Sequence, residues 1–214
     1  MNLTKEEFTK KLESLRTDKG VRMGSIFKLA KEYMHMPLSE VEKLLDSSAH
    51  EIRVGAVSIM DFQARDKKIS KEQKKEVFDL YIKKHDRINT WDLVDRSAIY
   101  VVGSYLLDKP RDILYKLAKS DLMADRRTAV VSTFYFIKNK QYKDTIKIAE
   151  VLLNDKEDLV HKAVGWALRT IDVKELIKFL DKHAKQMPRV MLRYSIEKLS
   201  IGQKTHYMSL KKAN

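Results

Sequence analysis

The sequence predicts an all-α fold, and three observations carry the prediction. Turn formers are scarce, with six glycines and three prolines in 214 residues. Lysine, leucine, glutamate and alanine, all good helix formers, abound in their place. Read for helical period, the chain falls into paired helices joined by short turns. A first helix is predicted over residues 4–15. Pairs follow at 37–46 with 49–65, 70–84 with 89–107, 110–119 with 122–139, 142–154 with 157–170, and 173–184 with 188–199. Pro37, Pro110 and Pro188 each fall near a helix start, where a missing N–H costs little. Gly103 and Gly165 are isolated glycines inside helices, read as permitting close helix packing. Tyr33, Met34 and Met36 are assigned to packing in the first repeat, and Phe134, Tyr135 and Phe136 to core and surface of the third.

The second helices of the pairs align on a small or apolar residue. The aligned stretches are Arg53-Val54-Gly55-Ala56, Asp95-Arg96-Ser97-Ala98, Arg126-Arg127-Thr128-Ala129, Val160-His161-Lys162-Ala163 and Arg193-Tyr194-Ser195-Ile196. Their last positions are spaced by 42, 31, 34 and 33 residues, the range of HEAT-like and tetratricopeptide hairpin repeats. One such hairpin cannot bury its apolar face alone. Residues 1–214 are therefore expected to form a single domain of HEAT-like hairpins stacked into a curved solenoid, with second helices lining a basic concave surface.

Composition narrows the class of function. The chain carries 43 Lys and Arg against 30 Asp and Glu, a formal charge of +13, which suits a polyanionic partner. There is no cysteine, which rules out disulfides and thiolate metal sites and fits a reducing cytosol. Residues 1–9 are polar with both charge signs, and no apolar run approaches membrane-spanning length. A soluble, cytoplasmic, monomeric protein is expected. His35, His50, His85, His161, His183 and His206 are widely spaced and read as surface or helix-end residues, not metal ligands. No phosphate-binding glycine loop or nucleophile elbow occurs, so no metal and no cofactor is predicted. Lys211 and Lys212 are further possible phosphate contacts in a terminal tail.

Trp91-Asp92-Leu93-Val94-Asp95 is the most informative segment. On a helix it sets an indole and a carboxylate one turn apart on one face, a pair suited to a cation. An acidic, aromatic spot on a basic protein points to a polyanion that contains one positive group, and alkylated duplex DNA fits. Arg127 falls at nearly the same register one repeat later, and Trp166 and Arg169 stand three apart in the repeat after that.

These segments, with Arg126-Arg127-Thr128-Ala129-Val130 and Lys162-Ala163-Val164-Gly165-Trp166-Ala167-Leu168-Arg169, resemble the AlkD family of DNA alkylation-repair glycosylases. Those are HEAT-like repeat proteins that remove positively charged N3- and N7-alkylpurines. The resemblance implies that Asp95 is the catalytic carboxylate, that Trp91 and Trp166 flank the lesion nucleotide, and that Arg127 holds the adjacent backbone. Arg169, Lys162, Arg126, Arg53 and Arg193 are then candidate phosphate contacts that position the duplex without reading its sequence.

One departure accompanies the matches. Family members with excision activity generally carry a further helix after the first, before a segment that here reads Gly20-Val21-Arg22-Met23-Gly24-Ser25, whereas this chain passes almost directly from Arg16 to Gly20. The expectation is a DNA-binding protein with weak or lost base excision. The alternatives are an active alkylpurine glycosylase and a helical-repeat scaffold for an acidic protein partner.

Overall fold

The computed structural model describes residues 3–210. Among them the chain is helical throughout, with thirteen α-helices and no strand beyond one isolated bridge between Thr17 and Gly20. No helix of the described residues is long and apolar enough to cross a membrane. The chain divides into two compact units, Met1–Tyr105 and Leu106–Asn214. Lys211 and Lys212 lie outside the described residues.

The first unit contains α1 (Lys5–Ser14), α2 (Met23–Glu32), α3 (Leu38–Leu45), α4 (His50–Arg65), α5 (Lys71–Lys83), a short 3₁₀ turn His85–Arg87, and α6 (Trp91–Ala98). Helix α6 runs on into a π-helical segment, Ile99–Gly103. The centre of this unit is the row α2, α4, α6, in which α4 packs against both neighbours. Ten residues of α4 between Ile52 and Ala64 are buried, as expected for a helix covered on most sides. Its Gly55 is needed for packing: a Cβ there would lie 2.4 Å from the ring of Phe8, the fully buried anchor of α1. Phe8 in turn meets Tyr33 edge to face at 5.3 Å.

The second unit contains α7 (Asp112–Leu117), α8 (Met123–Lys138), α9 (Lys143–Val151), α10 (Asp158–Leu168), α11 (Val173–His183), α12 (Arg189–Ser195) and α13 (Ile201–Ser209). Its central row is α8, α10, α12. Helix α10 approaches α12 most closely at Gly165, where a Cβ would meet Tyr194 Cβ at 2.4 Å and the Met191 carbonyl oxygen at 2.6 Å. Close packing at Gly165 thus agrees with the sequence reading.

Arginines staple neighbouring elements within each unit. Arg87 donates to the carbonyls of Leu45, Asp46 and Ser47 and so caps the end of α3. Arg111 holds Asp144 at 2.6 Å across the ring of Phe136. In the first unit Asp61 is fully buried between Arg65 and Arg96, with Arg96 Nη1 at 2.6 Å. Burial pushes the Asp61 carboxyl above its ordinary value in spite of both arginines.

Four sequence expectations change. Helices α2 and α13 fall outside the predicted pairs. The predicted helix 89–107 is α-helical only to Ala98, then π-helical to Gly103 and turn-like beyond, with Ser104 N bonded to the Ile99 carbonyl at 3.1 Å. The predicted helix 110–119 shortens to Asp112–Leu117. Of the histidines read as surface or helix-end residues, His85 and His183 stand at element ends but are buried, and His161 is buried inside α10; each has a partner. His85 rests on Tyr81, His161 meets the Asp155 carbonyl at 2.7 Å, and His183 meets Glu150 at 3.1 Å.

Candidate nucleic-acid interface

In the first unit the Trp91-to-Asp95 segment forms the opening turns of α6. Leu93, Val94, Ser97 and Ala98 are buried, which fixes the rotation of the helix and turns Trp91 and Asp95 to the other side. Trp91 is 49% exposed, and Asp95 one turn on is half-buried. Arg96 faces differently from Asp95. It lies between Phe27 and Phe62 and donates to Ser58 and Asp61.

The turn before Trp91 is tied to α4. His50 Nε2 lies 2.7 Å from Asp92 Oδ2, and the Thr90 hydroxyl donates to Asp92 Oδ1 at 2.7 Å. Burial pushes the Asp92 carboxyl upward, but the hydrogen bonds from Thr90 and His50 outweigh it and leave it below its ordinary value. Arg53 Nη1 donates to the Arg87 carbonyl at 3.2 Å and to Asn89 Oδ1 at 3.1 Å. Arg53, expected to contact phosphate, is therefore engaged with the loop that leads into α6.

In the second unit Arg127 is buried, with 5% exposure, and its Nη1 donates to the Leu159 carbonyl at the start of α10. Arg126 is engaged as well. It grips Asp155 through two hydrogen bonds of 2.6 and 3.1 Å and donates to the Ser120 and Asp121 carbonyls. Trp166 is half-buried on α10 and packs on Phe134 of α8 with ring centroids 4.2 Å apart. Arg169 caps α10, pairs with Glu197 and lies 5.9 Å from the Tyr194 ring. Lys162 is half-buried on α10 and Arg193 exposed on α12, so both cations reach solvent.

Sequence reasoning missed His50, Thr90 and the tie at Asp92, because partners 42 residues apart leave no local signal. It also missed Tyr194, which is exposed beside Gly165. A cavity of about 570 Å³ in the first unit, lined by Met36, Gln63, Ile69 and Val77 among others, includes none of the predicted site residues. Among the described residues no group of three or more His, Cys, Asp or Glu side chains could hold a metal ion.

The charge is unevenly divided. Residues 1–105 contain 20 Lys and Arg against 17 Asp and Glu, and residues 106–214 contain 23 against 13, so the units carry +3 and +10. No curated protein matches the chain. The family model described as DNA alkylation repair enzyme matches residues 5–199, a span from the start of α1 to just beyond α12. With nearly the whole folded chain covered by that model, the protein belongs to the DNA alkylation repair enzyme family.

Proposed function

We propose that this protein is a HEAT-like repeat DNA-binding protein that recognises cationic N3- and N7-alkylpurines, with weak or lost base excision. The observation that carries the reading is the Trp91 and Asp95 pair on the solvent-facing side of α6, in a chain of this family.

The chemistry assigns a task to each group. Alkylation at N7 or N3 puts a positive charge on the purine and weakens its bond to C1′. The exposed indole of Trp91 would attract that cation by about 0.5 to 2 kcal/mol, enough for recognition and too little for catalysis. As the C1′–N bond breaks, its electron pair neutralises the departing base and positive charge builds on the sugar. The Asp95 carboxylate would stabilise that sugar cation while water adds to C1′ and gives up a proton. Trp166 on Phe134 would offer a second aromatic surface. Arg127 is held by the start of α10, so its role would be to fix that segment beside the backbone it helps to bind. Lys162 and Arg193, on the unit of charge +10, would supply phosphate attraction.

Weak excision is favoured by the link between α1 and α2. It is a short turn closed by Thr17 and Gly20, with Gly20 at φ +81°, and Glu51 accepts from Val21 N at 2.9 Å. A turn this short, pinned to α4, supports the reading that a further damage-facing helix is lacking here. Excision needs the nucleotide held close to productive geometry, and small misplacements cost around a hundredfold in rate.

The test is single-turnover base release from duplex DNA containing N7-methylguanine or N3-methyladenine. The expected result is duplex binding with release at or near the uncatalysed rate, unchanged in Asp95→Asn. Rapid release that Asp95→Asn abolishes would overturn the claim of lost excision and make the protein an active glycosylase.

A further inference from the structure

We infer that His50 and Arg53 are positioning residues, which hold the Trp91-to-Asp95 turn on α4 in the orientation that meets DNA. The inference rests on the proposed function for its purpose, but its geometry stands apart from it.

The physical problem is how an exposed indole keeps its direction. Trp91 is the first residue of α6 and 49% exposed, so core packing does not fix it. Nor does a local cap. Thr90 is the N-cap of α6 and has the side chain for the task, yet it makes no capping hydrogen bond. Its hydroxyl is directed to Asp92 Oδ1 at 2.7 Å. The other oxygen of Asp92 lies 2.7 Å from His50 Nε2, on the first residue of α4. One turn further along α4, Arg53 Nη1 donates to the Arg87 carbonyl and to Asn89 Oδ1. The five residues from Arg87 to Trp91 are thus tied on both sides, by Arg53 before the indole and by His50 through Asp92 after it.

These ties replace what a helix end ordinarily finds in its own first turn. An Asp in that turn favours the positive end of the helix dipole, so Asp92 supports α6 while it bridges to α4. The arrangement fixes two directions at once. Asp95 follows Asp92 by three residues on the same helix, so a turn that rocks at Asp92 moves the carboxylate together with the indole.

The experiment exploits the two tryptophans of the chain. In a Trp166→Phe background Trp91 is the sole indole emitter, and in a Trp91→Phe background Trp166 is. His50→Ala is expected to lower the fluorescence anisotropy of Trp91 and raise its quenching by acrylamide about twofold, while leaving Trp166 unchanged. His50→Gln, which can still donate to Asp92, should restore most of the Trp91 signal. With both tryptophans present, His50→Ala should weaken duplex DNA binding about three- to tenfold, and Asp92→Asn added to it should cost little more. Unchanged Trp91 anisotropy in His50→Ala would overturn the inference, and so would an equal change at Trp166, which would mean general loosening. If Trp91 responds as expected but the parent protein does not bind DNA, the positioning stands and the proposed function falls.

Discussion

The two units place a tryptophan on a central helix by opposite means. Trp91 in the first unit stands exposed at a helix start and depends on polar ties from α4, whereas Trp166 in the second lies half-buried against Phe134. Their charges differ in the same sense of division, +3 for the first unit and +10 for the second. On the proposed function, the comparison separates two tasks, the stabilising of a positive charge and the attraction of phosphate. A carboxylate that stabilises positive charge does best where the net charge is nearly balanced, and phosphate attraction does best where cations outnumber carboxylates. The first unit has the composition for the former and the second for the latter.

The largest expected effect lies in the polar staples. Asp61→Ala leaves the half-buried Arg96 without its carboxylate partner and should destabilise the protein by up to about 3 kcal/mol in urea unfolding. Replacing both residues, as in Asp61→Leu with Arg96→Met, should recover most of that loss, because apolar packing can take the place of a buried ion pair whose desolvation offsets its attraction. If the double variant is no better than the single one, the first unit relies on the ion pair itself.

Next come the glycines, where the units meet the same test with different neighbours. Gly165→Ala would press a methyl group onto the backbone of α12, and Gly55→Ala onto the ring of Phe8. Both should cost about 1–3 kcal/mol in thermal or chemical denaturation, with Gly165→Ala the more damaging because backbone yields less than a ring. The reverse order would show that the core around Phe8 is the stiffer of the two.

Charge changes on the second unit should act on binding more than on stability. Glu197→Gln releases Arg169 from its ion pair and should tighten duplex binding a few-fold. Arg193→Ala should weaken it and reduce the slope of log affinity against log salt by about one. Fluorescence-detected titrations at several salt concentrations would measure both. No effect from either change would remove Arg169 and Arg193 from the proposed interface.

The smallest effect concerns acid stability. The Asp92 carboxyl lies below its ordinary value of 3.8 in the folded protein, so its stabilisation is present above that value and is lost as pH falls through the lower folded one. Asp92→Asn should therefore be less stable than the parent at pH 6 and lose less on acidification below about pH 4. Parallel losses in the two proteins would show that the ties to Thr90 and His50 contribute nothing to folding.

Much of this architecture was legible in the sequence, and the exceptions have physical reasons. The helix pairs from residue 37 onward follow from runs of helical period broken by short turns and from Pro37 and Pro188 at helix starts. Helix α13 was missed because it buries only Tyr207 and so has almost no stripe; its sign was the capping box of Ser200 and Gln203. The π segment was hidden because Val101, Val102 and Gly103 are buried in succession, and an apolar run fits a 3.6-residue period as well as a wider one. At the candidate site, Trp91 and Asp95 could be placed on one face from spacing alone. Arg53, Arg126 and Arg127 could not be told apart from solvent-facing cations, since what engages them, Asn89, Asp155 and the Leu159 carbonyl, lies about thirty residues or more away in the chain. Helical period reports the face of a residue, and only tertiary partners decide whether a cation on that face is available.

The central claim is that this protein engages DNA through phosphate contacts, and equilibrium binding to an undamaged duplex across about 50 to 200 mM salt tests it most directly. Affinity should fall steeply and linearly on logarithmic axes, as the release of several counterions requires. An affinity that stays level over that range, or no binding at the lowest salt, would contradict the account.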